Sequence, residues 1–245
     1  MATGRNDITA TIFLAIVGVP VLFLSLLFVP FVIYGNNRKV ETRRAEMEAR
    51  SRELGLTFSG EKDEASTRNL VFLSHLESGR DRYTLNNCRG RYKGYDVEIF
   101  DYHYKGPEMW WWAPSWHEQR YHSFIVLKLE EHFPELLLNV GKKGPFKRVA
   151  DAFGSADINF ESHEFSERFD VRCKNKKFAY DFCHARMIEY LLGKPTIPVE
   201  LENNVIAVGF RTLVPVSAIE EHVDHLANIR QLMPDYLFDA QEKLA

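Results

Sequence analysis

The longest apolar run of the chain lies near its start, from Ile8 to Tyr34, and contains no Asp, Glu, Lys or Arg. As a helix, about 27 residues would extend roughly 40 Å, more than the roughly 30 Å hydrocarbon core of a bilayer. The run lacks the polar stripe of a soluble amphipathic helix. A cleavable signal peptide would have a shorter apolar core and a small-residue cleavage site, which the flanking VIYGNNRK lacks. The pattern therefore predicts a transmembrane helix over residues 8–34, after a tail of residues 1–7.

Basic residues follow this run closely, whereas the side that precedes it carries only Arg5. Lysine and arginine near a membrane span favour the cytoplasmic side. We therefore expect the amino terminus outside and the rest of the chain in the cytoplasm. The basic residues behind the run are Arg38, Lys39, Arg43 and Arg44.

Residues 35–55 mix both signs of charge at helical spacing and end at Gly55. Glu48 stands four residues before Arg52, the order that favours an ion pair on a helix surface. A coiled coil would need an apolar seam, which this segment lacks. The pattern predicts a charged helical stalk over residues 35–55.

Residues 56–245 combine strand-like alternation with amphipathic helical spacing, which predicts one cytoplasmic α+β domain. We expect a largely antiparallel sheet and about two to three helices. Asn203 and Asn204 tolerate positive φ and predict a second hairpin turn, besides the turn at Lys93 and Gly94. Further expected elements are strands from His122, from Glu135 and over RFDVRCK, a single helix over KFAYDFCHARMIEYLLGK, a helix start at HEFSE, and a last helix capped by Ser217.

Composition excludes several functional classes. A net charge of -3 and a pI near 6.3 argue against a nucleic-acid partner. The cysteines are three in number and widely spaced, so they indicate neither a disulfide framework nor a zinc site, and they fit a reducing compartment. Phosphate-binding, nucleophile-elbow and zincin motifs do not occur, so we expect no cofactor. His222 and His225 share one helix face but lack a third ligand, so we expect exposed histidines and no metal site.

Two stretches carry a resemblance to a known family: NNCRGRYKGYDVEIFDYHY, from Asn86 to Tyr104, and DINFESHEFSERFDVRC, from Asp157 to Cys173. With these, the chain resembles an uncharacterised bacterial family of membrane-anchored proteins that is catalogued only as a domain of unknown function. The resemblance implies a bacterial inner-membrane setting and no known activity, cofactor or catalytic residue. The chain departs from that family after Tyr104, where its tryptophans lie.

All tryptophans of the chain fall between Lys105 and Arg120, a segment without strand or helix pattern. Connections of this length tend to be functional or disordered. Three alternatives stay open: the indoles pack back onto the sheet, contact a partner protein, or enter the headgroup region of the membrane. The candidate contact residues are Trp110, Trp111, Trp112 and Trp116.

These patterns predict a single-span membrane protein whose cytoplasmic domain acts as a binding or scaffold module. The bilayer is the expected partner of residues 8–34, and the tryptophan segment is the expected site for a protein partner. The alternative is a membrane-tethered enzyme that uses Asp101 with His103 or His122 in a common pocket. Asp101, in an aromatic strand, can otherwise accept structural hydrogen bonds or pair with Arg89 or Arg91.

Overall fold

The computed structural model describes residues 38–65, 80–105, 119–140 and 158–238. The chain divides into two compact units, residues 1–46 and residues 47–245. Within the described ranges, no helix is long and apolar enough to cross a bilayer. The predicted transmembrane helix over residues 8–34 lies outside these ranges.

The described residues form a mixed set of helices and strands, and every strand pairing among them is antiparallel. The predicted α+β class with a largely antiparallel sheet is confirmed. In chain order the elements are α1 (residues 38–53), β1 (Thr57–Ser59), β2 (Arg80–Tyr92), β3 (Tyr95–Lys105), β4 (Gln119–Val140), α2 (His163–Arg168), β5 (Phe169–Cys173), α3 (Lys176–Phe182), α4 (Ala185–Leu192), β6 (Val199–Gly209), a 3-10 turn (Val216–Ala218) and α5 (Ile219–Leu232).

The helix count was predicted too low, since the described residues contain at least six helical segments. One reason is that the single helix expected over KFAYDFCHARMIEYLLGK is two helices, α3 and α4. The chain leaves helical geometry between them at Cys183 and His184. His184 Nε2 donates a hydrogen bond to the carbonyl of Leu232, 2.9 Å away. A contact with a distant helix end therefore holds this break.

The central element is β4, a strand of 22 residues. Along one edge it pairs first with β3 and then with β5, and along the other edge it pairs with β6 between Phe124 and Leu138. We predicted two separate strands from His122 and from Glu135. They are one strand because an irregular stretch around Phe133, next to Pro134, interrupts the ladder without ending it.

The predicted hairpin over Asn203 and Asn204 is wrong, because β6 runs straight through both residues. Asn203 does adopt positive φ, 52°, but it does so within β6, where it pairs with Phe133 at an irregularity whose extra residues lie in β4. The hairpin over Lys93 and Gly94 is confirmed: both have positive φ, and the flanking Tyr92 and Tyr95 pair directly.

Helix starts were predicted with mixed success. HEFSE begins α2 as expected, and the Ser162 hydroxyl accepts a hydrogen bond from the amide of Phe165. The expected cap at Ser217 is wrong, because α5 begins at Ile219, after a 3-10 turn, and without a side-chain cap. Glu220, three residues after Ser217, accepts hydrogen bonds from Arg50 and Tyr92.

The helices cover one face of the sheet. Side chains alternate along β3 and β4, so Ile99 and Ile125 join the large core that also contains helix residues, whereas Phe100 and Phe124 point to the other face. Among the described residues, the apolar cluster on that second face consists of strand side chains alone. Its members are Phe100, Tyr102, Phe124, Val126, Val205 and Ala207, with Tyr104 packed against it.

The end of α1 belongs to the large core on the helix-covered face of the sheet. Met47 is 1% exposed, and together with Leu54 and Leu56 it surrounds a small space with Cys88. The second unit accordingly begins at Met47 and includes the last turns of the segment that we predicted as a stalk. The predicted pair of Glu48 and Arg52 forms on this helix.

Gly209 marks a close approach of two strands, and it supplies a stability test. A methyl group there would lie 2.8 Å from Cε1 of Phe124, a buried ring that stacks on Phe100. We expect Gly209→Ala to lower the free energy of unfolding by about 1–3 kcal/mol, because the packed ring has no room to shift. Thermal unfolding of the full chain in detergent measures this loss of stability as a fall of several degrees in the unfolding temperature.

Gly193→Ala is the matched control, since its added methyl group would come no closer than 3.5 Å to the neighbouring carbonyls. It should leave the unfolding temperature unchanged or slightly raised. Equal behaviour of the two variants would contradict the close packing of Phe124.

Candidate functional site

The four tryptophans of the predicted contact segment, Trp110, Trp111, Trp112 and Trp116, lie outside the described residues. Their contact role therefore stays a prediction. The residues of the enzyme alternative are described, as are both helix histidines, so their geometry can be compared with what each hypothesis requires.

Asp101 is 2% exposed and lies in β3 on the helix-covered face of the sheet. Its two carboxylate oxygens accept hydrogen bonds from Asn86 Nδ2 and Ser123 Oγ, both at 2.9 Å. A bulge in β2, at which Asn86 has φ of 53°, brings the amide to the carboxylate. Asp101 is therefore held as an internal acceptor, as the structural interpretation of this residue expected.

The arginines proposed as partners of Asp101 contact other acids. Arg89 pairs with Glu98 and Asp63, at 2.7 and 3.0 Å. Arg91 lies 3.6 Å from the carboxylate of Asp96. Both arginines follow the bulge at Asn86, and the register pairs Arg89 with Glu98 and Arg91 with Asp96.

Ser123 connects this buried carboxylate to the segment after β6. Its hydroxyl oxygen accepts a hydrogen bond from the amide of Val214 at 3.1 Å, and its carbonyl accepts one from the amide of Phe210 at 2.9 Å. Sequence reasoning missed both Asn86 and Ser123. The signal for Ser123 was its position two residues before Ile125, which makes it an inward-facing polar residue of an alternating strand.

His103 lies two residues after Asp101 and is also 2% exposed. Its Nδ1 is 3.2 Å from the carbonyl oxygen of Asp81, which can only accept, so Nδ1 carries the proton. Nε2 therefore presents a lone pair, and it has no hydrogen-bond partner in the described parts of the chain. Tyr83 stacks on the ring at 4.3 Å, and Tyr121 packs against it at 4.8 Å.

Burial lowers the pKa of His103, and the charges of Lys62 and Lys105 lower it further. The imidazole is therefore neutral at physiological pH. It functions here as a packed aromatic ring within a pair of tyrosines.

His122 lies on the opposite face of the sheet from Asp101 and His103. It pairs in register with Tyr102, and its ring packs edge-on against Tyr104 at 5.2 Å. One layer of backbone thus separates His122 from the other two side chains. The three residues of the enzyme alternative are not brought together in one pocket.

The helix histidines were predicted to be exposed, and this is wrong for His225, which is 6% exposed. His222 is partly buried, with its ring 4.7 Å from that of Phe210. Both line a cleft between α4 and α5. Within the described residues, no group of three His, Cys, Asp or Glu side chains is arranged to hold a metal ion. Sequence reasoning missed Tyr190 and Lys194, which line the same cleft from α4 and the residues after it.

The three cysteines, Cys88, Cys173 and Cys183, are buried and free. Burial raises the pKa of the Cys88 thiol to about 12 and also raises the pKa values of Cys173 and Cys183. A thiol becomes a nucleophile by losing its proton, so these environments favour the unreactive form.

The contacts of Ser123 predict its effect on stability. Ser123→Ala removes the hydrogen bond that the hydroxyl donates to Asp101 and the one that it accepts from the amide of Val214, both in buried surroundings. We expect the free energy of unfolding to fall by about 1–3 kcal/mol. Ser217→Ala, at an exposed position near α5, is the control and should change little. Chemical denaturation of the full chain measures both variants, and an unchanged Ser123→Ala would refute the role of this hydroxyl.

No protein-family model matches the chain, and neither does any curated protein. Among solved structures, the chain is similar to the crystal structure of the mycobacterial trehalose monomycolate transport factor A, TtfA. The two share 15% sequence identity with a TM-score of 0.50, over 77% of this chain and 90% of that chain. Likeness at this level of identity is a likeness of fold, and it extends across most of both chains.

Proposed function

We propose that this protein is a single-span protein of the bacterial inner membrane whose cytoplasmic α+β domain acts as a binding or scaffold module. In this proposal residues 8–34 cross the bilayer, residues 35–46 lead away from it, and the compact unit from Met47 meets the partner. The amino terminus lies outside. The tryptophan segment between β3 and β4 is the proposed contact surface.

The observation that carries the membrane setting is the apolar run from Ile8 to Tyr34, which has no charged residue and stands directly before basic residues. Such a run is long enough to span a bilayer, and the excess of lysine and arginine behind it favours the cytoplasm for the domain.

Two observations support a binding role over an enzymatic one. The chain is similar in fold to a protein named as a transport factor. By analogy of fold alone, this favours an accessory or binding role. The enzyme alternative needs Asp101 with His103 or His122 in one pocket. His103 is packed between Tyr83 and Tyr121 and makes its hydrogen bond to the carbonyl of Asp81. Asp101 instead accepts hydrogen bonds inside the core, and His122 lies across the sheet.

Membrane topology is the first test. We expect the full chain with a carboxyl-terminal green fluorescent protein to be fluorescent and to remain in the membrane fraction after alkaline extraction. The same fusion to alkaline phosphatase should be inactive, because the domain stays in the cytoplasm. Deletion of residues 8–34 should move the protein to the soluble fraction. Active phosphatase in the full-length fusion would refute the orientation.

The tryptophan segment has a direct spectroscopic test, since all four indoles of the chain lie in it. We expect red-shifted tryptophan emission that acrylamide quenches when the full chain is in lipid nanodiscs, because a contact surface without its partner is exposed to water. Brominated lipids supply the control: quenching by them would assign the indoles to the headgroup region. Blue emission that neither agent quenches would mean packing within the fold and would overturn the contact role.

A further inference from the structure

A groove of about 760 Å³ lies where the segment before α2 meets α3 and α4, and its volume is within the range of ligand sites. Apolar surface predominates in its lining. Phe160 contributes from the segment before α2, Tyr180 from α3, and Ile188 and Leu192 from α4. Among the described residues, those that line this groove differ from those that line the cleft between α4 and α5. The two concave surfaces are therefore distinct.

Helix α4 has apolar side chains on two faces. Met187 and Leu191, four residues apart, are 0% and 1% exposed and lie in the core. Ile188 and Leu192 are each one position further along, so they share a second face of the helix. These two side chains are only partly buried, and their face lines the groove. Packing within the domain thus leaves part of the apolar surface of α4 uncovered.

The aromatic wall of the groove is held in place by local contacts. The Tyr180 ring packs edge-on against Phe160 at 5.3 Å, and its hydroxyl donates a hydrogen bond to the carbonyl of Asn159, 3.3 Å away. The hydroxyl of Ser166 bonds both the N–H and the carbonyl of Phe160, at 3.2 and 3.3 Å. Tyr180 is nevertheless 50% exposed. Tyrosine is enriched at interface hot spots, so this fixed and accessible ring is suited to a contact with a partner.

The charge of the groove is negative. Its charged residues, among those that the structure describes, are Glu161 and Glu189, which are exposed and form no hydrogen bond or ion pair there. Arg186 stands three residues before Glu189 on α4 but forms no ion pair with it. Arg168, at the end of the same helix, donates instead to the carbonyl of Leu192 at 2.7 Å. The two carboxylates therefore remain available to a cation from another molecule.

We propose that this groove binds a segment of a partner protein that presents an arginine beside apolar side chains. The apolar side chains of the segment pack on Ile188 and Leu192, and the guanidinium donates hydrogen bonds to Glu161 and Glu189 and lies against the ring of Tyr180. Arginine fits this surface better than lysine, because its planar guanidinium binds carboxylates in pairs of hydrogen bonds and stacks on aromatic rings. The inference rests on the proposed binding role and specifies the chemistry of the partner.

A protein segment suits the groove better than a small organic cation does. Sites for small molecules enclose most of the ligand and orient it with a few well-placed polar groups. Here the polar groups, Glu161 and Glu189, are exposed at the surface, and half of Tyr180 is open to solvent. Apolar surface surrounded by exposed charge is the arrangement of a protein interface, in which the rim is polar and accessible.

The test selects from a phage-displayed library of random dodecapeptides on the full chain in phosphatidylcholine nanodiscs. We expect the enriched peptides to share an arginine next to leucine, isoleucine, valine or phenylalanine. Fluorescence anisotropy then measures the affinity of a selected peptide. The same peptide with citrulline in place of arginine should bind about tenfold more weakly, because citrulline keeps the shape of the side chain and lacks its charge.

Variants of the chain locate the binding surface. Glu161→Gln and Glu189→Gln should each weaken the affinity about tenfold, since each removes a charged acceptor at an exposed position. Glu221→Gln changes an exposed glutamate of α5 outside the groove, so it is the matched control and should bind like the wild type. Selection without arginine, or equal affinity for the wild type and both groove variants, would overturn the proposal.

Other occupants of the groove give different results. Arginine amide that binds as tightly as the peptide would indicate a small-molecule site, and a dimer that Glu189→Gln abolishes would indicate a second copy of the chain. Either result would overturn the partner segment. Failure of the peptide test with the topology result intact would remove only the groove from the account. Failure of the topology test with arginine-dependent binding intact would remove only the membrane setting.

Discussion

Strand β4 is the element on which the rest of the domain depends. Its 22 residues provide one edge for β3 and β5 in succession and the other edge for β6. A strand of this length cannot keep a regular twist and pleat throughout, and around Phe133 extra residues of β4 interrupt the pairing with β6 before it resumes at Leu136. The helical layer then packs against the face to which Leu127, Leu136 and Leu138 contribute, all fully buried.

Buried polar side chains add hydrogen bonds to those between the strand backbones. Asp101 and Ser123 are paired in register on β3 and β4, and through the Ser123 hydroxyl they hold the segment that leads from β6 to α5. That segment determines where α5 starts, and hence where His222 and His225 face α4. A network in the core thus positions the cleft at the surface, even though no residue of the network lines it.

Local signals in the sequence were reliable where local geometry decides the structure. The turn at Lys93 and Gly94 and the start of α2 at Ser162 both follow from preferences of one or two residues. Asn203 was misassigned because its tolerance of positive φ serves a hairpin turn and an irregular strand pairing equally well. Only the partner strand distinguishes the two.

The prediction of an exposed His225 was wrong for a related reason. The polar neighbours of His225 on α5 suggested an exposed position, but Tyr190 of α4 packs against its ring with centroids 5.5 Å apart. Likewise, His184 breaks a helix that its own sequence would continue, because it contacts Leu232 at the end of α5. Contacts between distant parts of a chain have no signature within a local window of the sequence.

The position of β6 also constrains how the chain can fold during synthesis. Until residues 199–209 leave the ribosome, the edge of β4 from Phe124 to Leu138 lacks β6 as its partner, and its backbone groups are available to other chains. The contacts of Tyr92 and Lys93 with α5 join residues more than a hundred positions apart, and such non-local contacts slow folding. The domain therefore closes only after nearly all of it has been translated, which favours a nascent chain protected by chaperones.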